Sequence, residues 1–285
     1  MKHFAILLML IPAVCAGAMT PFSELLENGT VVDTTKYEAT YTLRFKDHPA
    51  DKDFKDDTRI LQIGRRHVKD FSYIIYHYDS LATEQIRQGA DSHSNISGNP
   101  WPLEILRNER NRTAETKYRL PMQSTLHYKD SLPCLDWKFD ALQSETILGY
   151  ECRKATVDFA GRTYSVWFAL ELPLPYGPYK FGGLPGLILR IQDAKGQFIW
   201  ECVGLEKSSK PIISYEYNNE KDCTSEQADK TVARLYSSYF AFIAADGGID
   251  RSRIMVRASD GKWRKSSEVE DVAIPYEPIE IRVKK

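Results

Sequence analysis

Between Tyr37 and Lys46 apolar and polar residues alternate without a break. Tyr37, Ala39, Tyr41, Leu43 and Phe45 share one side of an extended chain, and Glu38, Thr40, Thr42, Arg44 and Lys46 take the other. A period of two marks a strand with one buried face and excludes a helix, whose stripe recurs every three to four residues. The alternation returns where Tyr164, Val166, Phe168 and Leu170 interleave with Thr163, Ser165, Trp167 and Ala169. Segments of this kind need a second layer over their apolar side. The 285 residues, 42% hydrophobic and 12% aromatic, are enough to supply it, which excludes a disordered chain.

The other elements follow from local signals. The charged run from Asp47 to Asp57 reads as a solvated turn, and Ile60 to Gly64 and Phe71 to Tyr78 as further strands. Ser80 can cap a short helix running through Gln88, which Gly89 would end. Asp91 to Arg119 carries Gly98-Asn99-Pro100 and scattered charges, and reads as a long surface loop or a marginal helix. Strands are expected around Leu135 to Phe139, from Ile147 to Phe159, from Leu187 to Gln192 and from Phe198 to Leu205. The turns Ala160-Gly161 and Ala194-Lys195-Gly196 are so short that the pairing must be an antiparallel meander. Thr224 and Gln227 match a capping box. Val232, Leu235, Tyr236, Tyr239, Phe242 and Ile243 then follow at helical spacing, and Gly247-Gly248 ends the helix. A closing strand places Ile279, Ile281 and Val283 inward. The expected class is α+β: a mostly antiparallel sheet with a packed C-terminal helix.

The first 18 residues read as an export leader. Lys2 and His3 precede an apolar run from Phe4 to Val14, and Ala16-Gly17-Ala18 supplies small residues for cleavage after Ala18. The run is shorter than the roughly 20 residues a bilayer requires, and no later segment is apolar enough to span one. One domain over residues 19–285 is then expected, periplasmic or secreted. Cys15 offers a lipid anchor as the alternative, disfavoured by Val14 where a small residue is wanted. With 38 basic against 39 acidic residues, the chain has no clustered positive footprint for nucleic acid.

Export makes the compartment oxidising, so Cys134, Cys152, Cys202 and Cys223 suggest two disulfides with three open connectivities. A hairpin centred on Gln143 would set Cys134 opposite Cys152 and leave Cys202 to Cys223. No C-x-x-C, H-E-x-x-H or G-x-S-x-G spacing occurs, so neither a catalytic residue nor a metal or cofactor site is nominated. His67 and His77 on adjacent strands would be the nearest approach to a ligand pair, against the commoner outcome of hydrogen-bonded histidines.

Gly177-Pro178-Tyr179-Lys180-Phe181-Gly182-Gly183-Leu184-Pro185-Gly186-Leu187-Ile188-Leu189 resembles the signature of the GLPGLI family, named for the hexapeptide at Gly183 to Ile188. Leu61-Gln62-Ile63-Gly64, the stretch from Ile147 to Ala155 and Val166-Trp167-Phe168 resemble its flanking strands. The resemblance implies an exported protein of Bacteroidetes-type bacteria with no established activity. The strand order is also similar to the curved half-barrel of periplasmic lipoprotein carriers, which cups an apolar ligand. Two readings of the Pro/Gly-rich loop follow. Tyr176, Tyr179, Phe181 and Leu184 either pack over one end of the sheet or form a rim that binds a ligand or partner. The functional expectation is a non-enzymatic binding or accessory protein of the cell envelope, holding an apolar small molecule within the sheet. The alternatives are an interaction module for an outer-membrane transport or assembly system, and a hydrolase of unfamiliar constellation.

Overall fold

The computed structural model describes residues 19–122, 124–257, 261–271 and 273–282. The expected leader, Cys15 and Val283 therefore lie outside the described residues. Six strands, β2 (Tyr37–Phe45), β3 (Lys55–Ile63), β4 (His67–Ser72), β5 (Leu103–Asn108), β6 (Thr113–Arg119) and β7 (Thr125–Ser131), form one antiparallel meander. Five more, β8 (Lys138–Ile147), β9 (Tyr150–Phe159), β10 (Arg162–Ala169), β11 (Leu187–Asp193) and β12 (Phe198–Lys207), form a second. Pairing of β2 with β12 joins the two meanders, and β14 (Glu220–Asp222) adds a parallel strand beside β7 to complete a 12-stranded sheet. A separate ribbon pairs β1 (Asn28–Thr34) with β13 (Pro211–Glu216). The helices are α1 (Tyr73–Arg87), α2 (Ser225–Ser237) and α3 (Tyr239–Asp246), and β15 (Met255–Arg257) pairs with β16 (Trp263–Lys265). The protein is thus mostly antiparallel sheet with few helices.

The alternation in β2 does what its period demands: Ala39, Tyr41, Leu43 and Phe45 are buried. Opposite them stand Cys202, Trp200 and Phe198 of β12, and the register continues the apolar face through Ile191, Val166 and Ala155. The main core lies on this face. A second cluster gathers Leu120, Met122 and Leu126 against Ala228, Val232, Leu235 and Tyr236 of α2 and Tyr239 and Ile243 of α3.

Several sequence expectations are corrected here. Phe71 to Tyr78 is not a strand: β4 stops at Ser72, whose hydroxyl accepts the Ile75 N–H and caps α1 eight residues before Ser80. His77 is therefore helical and exposed, stacked near Tyr73, and does not face His67 across two strands. Asp57 is buried inside β3 rather than in a solvated turn. Asp91 to Arg119 holds β5 and β6, because their charges are paired rather than solvated: Arg119 meets Asp79 at 2.8 Å, Lys69 meets Glu104 at 3.0 Å and Lys117 meets Glu220 at 2.5 Å.

Leu135 to Trp137 is irregular, and the strand there begins only at Lys138. The strand expected from Ile147 onward is broken by a two-residue turn at Leu148-Gly149, with φ of 51° and 84°. Positive φ at both positions is the type I′ signature that matches strand twist, and Gly149 meets it without strain. The turn moves the hairpin centre away from Gln143 and sets Cys152 opposite Glu145, not Cys134. All four cysteines are free thiols: Cys134 is exposed, Cys152 and Cys202 are buried, and Cys223 is half-buried. The residues around Ile279 and Ile281 pack without forming a strand, although Ile281 N–H donates to the Ala160 carbonyl at 2.8 Å.

The capping box holds in both directions: the Thr224 hydroxyl accepts the Gln227 N–H, and the Gln227 side chain accepts the Thr224 N–H. The continuous helix expected beyond it is divided at Ser238, whose φ of −152° and ψ of 64° separate α2 from α3. Thr224→Ala is expected to lower stability by about 1 kcal/mol, as an N-cap loss does. Urea denaturation would check this, and an unchanged midpoint would remove the cap from the account.

Candidate functional site

The Pro/Gly-rich loop between β10 and β11 turns into the core. Phe181 is fully buried, and Tyr179 and Leu184 are nearly so, while Tyr176 is half-buried. Phe181 stands 4.8 Å from Tyr164 and 6.2 Å from Trp200, and Tyr179 stands 5.7 Å from Trp101, between ring centroids. These edge-on and tilted contacts are the geometry aromatic pairs favour in a packed interior. Polar groups tie the loop down as well. Tyr179 N–H donates to Asp70 Oδ2 at 2.6 Å, Arg107 Nη1 to the Phe181 carbonyl at 2.6 Å, and Trp137 Nε1 to the Gly182 carbonyl at 3.0 Å. Three of the four expected binding residues are thus core, and the loop offers no aromatic rim to a ligand.

Beside Trp101, Phe198 and Tyr236 the described residues leave a void of about 40 Å³, space for a few water molecules at most. Two larger recesses lie elsewhere. One is a wide cleft of about 640 Å³ between β7, α2 and α3, floored by Leu126 and Phe242 and reached by Cys223. Burial, followed by the neighbouring Asp222, raises the Cys223 thiol above its ordinary value, which keeps it protonated and a poor nucleophile. Burial likewise pushes the Cys152 thiol up to about 11 and Cys202 up to about 12.

The other recess, of about 300 Å³, crosses the outer face of the sheet. Its floor is Glu38 of β2, Ile60 and Gln62 of β3, and Lys69 and Phe71 of β4. One wall is the start of α1 with Tyr73 and Tyr76, and the other is β13 with Pro211, Ile213 and Tyr215, joined by Lys210. Ser72 makes this possible, because ending β4 there and starting α1 at once projects Tyr73 and Tyr76 beside Phe71. The two tyrosines are 47% and 39% exposed, so their rings remain available. Phe71 and Tyr76 meet edge-on at 5.6 Å. The ions of the groove are already matched: Lys69 pairs with Glu104 at 3.0 Å and Lys210 with Glu38 at 2.8 Å, and Gln62 Nε2 donates to Glu38 at 3.3 Å.

Of the groove residues only Gln62 falls in a stretch that the family resemblance picks out, and nothing there marks it as a binding residue. Tyr73 and Tyr76 at helical spacing were the available signal, hidden while that stretch read as a strand. Among the described residues no cluster of three or more His, Cys, Asp or Glu is placed to hold a metal ion. No helix of the described residues is long and apolar enough to cross a membrane.

Fold and groove together define a β-rich protein with a recess on its outer face. Residues 81–233 match the family described as N-glycanase peptide, N-terminal domain, and the chain belongs to that family. Solved structures of PNGF-II in the P21 and C2 space groups are similar at 17% and 18% identity, each with a TM-score of 0.46. In both comparisons the likeness covers 69% of this chain and 32% of that one, so the chain spans about a third of their length. No curated protein matches it.

Proposed function

We propose that the chain is an exported, non-enzymatic binding or accessory protein of the cell envelope, of the GLPGLI type, and that the outer groove is its binding surface. The observation that carries this reading is the groove itself: a preformed recess with exposed tyrosine rings and internally matched ions. Exposed aromatic rings in a concave site are the usual anchors of recognition. The leader-like first residues support export, and the sequence motif supports the GLPGLI assignment. Burial of Tyr179, Phe181 and Leu184 of the motif loop in the core favours the outer groove as the binding surface. The name of the matched family places such a domain at the N-terminal end of an N-glycanase. By that likeness the chain serves a glycan-processing setting, with the chemistry carried elsewhere.

Fractionation of the producing cell followed by intact-mass analysis tests the first half. The expected result is a mature chain beginning at Met19 in the envelope or medium, and a full-length chain confined to the cytosol would refute export. For the second half, purified protein is titrated with envelope extracts while backbone amide spectra are followed. Shifts should gather around Tyr73, Tyr76 and Tyr215. Turnover of a glycopeptide by the purified chain would overturn the non-enzymatic reading.

A further inference from the structure

We infer that the cleft between β7, α2 and α3 is a second binding site, separate from the outer groove, and that its ligand is a long-chain fatty acid held by its carboxylate. The helix that walls the cleft points to an apolar guest. In α3 every residue before Asp246 is apolar or aromatic, yet only Tyr239, Ile243 and Ala244 are buried. Ala241 and Ala245 are exposed and Phe242 is half-buried, and all three line the cleft. A helix that is hydrophobic all round is normally covered on every side. Leu120 and Leu126, both buried, continue the same apolar surface along the cleft.

Charge identifies the other end of the ligand. Lys221 and Asp246 are committed to each other at 2.9 Å, and Asp246 also accepts from the Ser124 hydroxyl. Arg234, in the last turn of α2, lines the cleft and has no ion-pair partner among the described residues. Thr231 and Ser238 flank it at helical spacing and line the same side. A guanidinium takes a carboxylate through two parallel hydrogen bonds, and a serine hydroxyl beside it can donate another. One uncommitted cation over an apolar floor matches a ligand with a single negative charge and a long apolar tail. A cationic amphiphile would meet like charge at Arg234, and a neutral one would leave the guanidinium without a counter-ion.

A segment of a partner protein is the competitor, and space decides against it. The cleft of about 640 Å³ lies within the range of small-ligand sites. A helix about 10–12 Å across fills that volume in roughly one or two turns. So short a helix gains little stability of its own. A strand has no free edge to join at β7, because β14 already pairs with it from Glu220 to Asp222. An acyl chain needs neither length nor edge.

Cys223 lines the cleft and reports its occupancy, while the exposed Cys134 lies outside it. The reduced full chain is alkylated with and without palmitate, kept below its micelle-forming concentration, and labelling of each thiol is read by peptide mass spectrometry. Palmitate is expected to slow labelling of Cys223 and to leave Cys134 unchanged. Methyl palmitate should bind about tenfold more weakly, and Arg234→Gln should weaken palmitate by a similar factor, the loss of a hydrogen-bonded charge. Arg234→Lys keeps the charge and should keep most of the affinity. Arg234 is exposed, so both variants should melt with the wild type. Equal binding of acid and ester, or palmitate binding indifferent to Arg234→Gln, overturns the inference. So does an amphipathic helical peptide that shields Cys223 where palmitate does not, or Cys223 labelling that palmitate leaves unaltered. None of these outcomes touches the outer groove, whose reading is decided at Tyr73, Tyr76 and Tyr215.

Discussion

Gly186→Ala is expected to destabilise the protein by roughly 4 kcal/mol or more, in the range that marks exceptional single substitutions, or to prevent its accumulation. The reason is space rather than backbone angle. A Cβ at Gly186 would lie 2.0 Å from the Ala169 carbonyl oxygen and 2.6 Å from its carbon. Those atoms belong to the end of β10, where Ala169 pairs with Leu187, so neither side can give way without dislocating the β10–β11 register. Behind that register Leu187, Ile188 and Leu189 are fully buried, and a shift would reach all of them. Gly149→Ala is the control. Its φ is +84° but nothing lies within 4 Å of an added Cβ, so it should lose only about 1 kcal/mol. Guanidinium denaturation of the two variants separates steric exclusion from conformational preference. Equal losses would show that the close approach is relieved cheaply.

The same contact explains a motif that the sequence displays without explaining. A Pro/Gly-rich stretch containing two tyrosines and a phenylalanine fits either a rim or a core plug, because composition alone does not say which way the chain turns. The direction is set by residues far away in sequence, Asp70, Arg107 and Trp137, which bind the loop backbone. Period-two strands such as β2 and β10 are legible because half of each faces the core and the signal is local. β5 and β6 are illegible for the opposite reason. Arg107, Lys117 and Arg119 are nearly fully buried, and partners distant in sequence help make that tolerable: the Phe181 carbonyl for Arg107, Glu220 for Lys117 and Asp79 for Arg119. The groove is hidden by the same logic, since its walls come from β2, β3, β4, α1 and β13 and no single window of sequence holds more than a fragment of it. The cysteine pairing failed on one turn: a hairpin centre misplaced by a few residues assigns every cross-strand neighbour wrongly.

Arg59→Met should cost about 3–5 kcal/mol near neutral pH, the loss typical of removing one partner from a buried ion cluster. The guanidinium is fully buried opposite Tyr41. It lies 2.9 Å from Asp70 and 3.3 Å from Asp57, donates to the Leu103 carbonyl at 2.8 Å, and stands 5.2 Å from the Trp101 ring centre. Methionine fills much of the volume but leaves two buried carboxylates without their cation. Burial already pushes the Asp57 carboxyl up to about 6, against the downward pull of Arg59, Ser72 and the Trp101 N–H. The sign of the pH dependence follows. Folded Asp57 holds its proton more tightly than the unfolded chain, whose value is near 3.8, so its contribution to stability falls as pH rises from about 4 to 6. Without Arg59 that fall should steepen and reach higher pH, so the variant recovers part of its stability on acidification. Adding Asp57→Asn and Asp70→Asn to Arg59→Met removes both orphaned charges and should restore a substantial part of the loss at neutral pH. Part of the loss would remain, because the Asp70 carboxylate also accepts the Tyr179 N–H that anchors the motif loop. Urea denaturation of the three proteins at pH 5 and pH 7.5 measures each term. If Arg59→Met were near-neutral at both, or lost stability equally at both, the buried cluster would not be what holds the loop beneath the sheet.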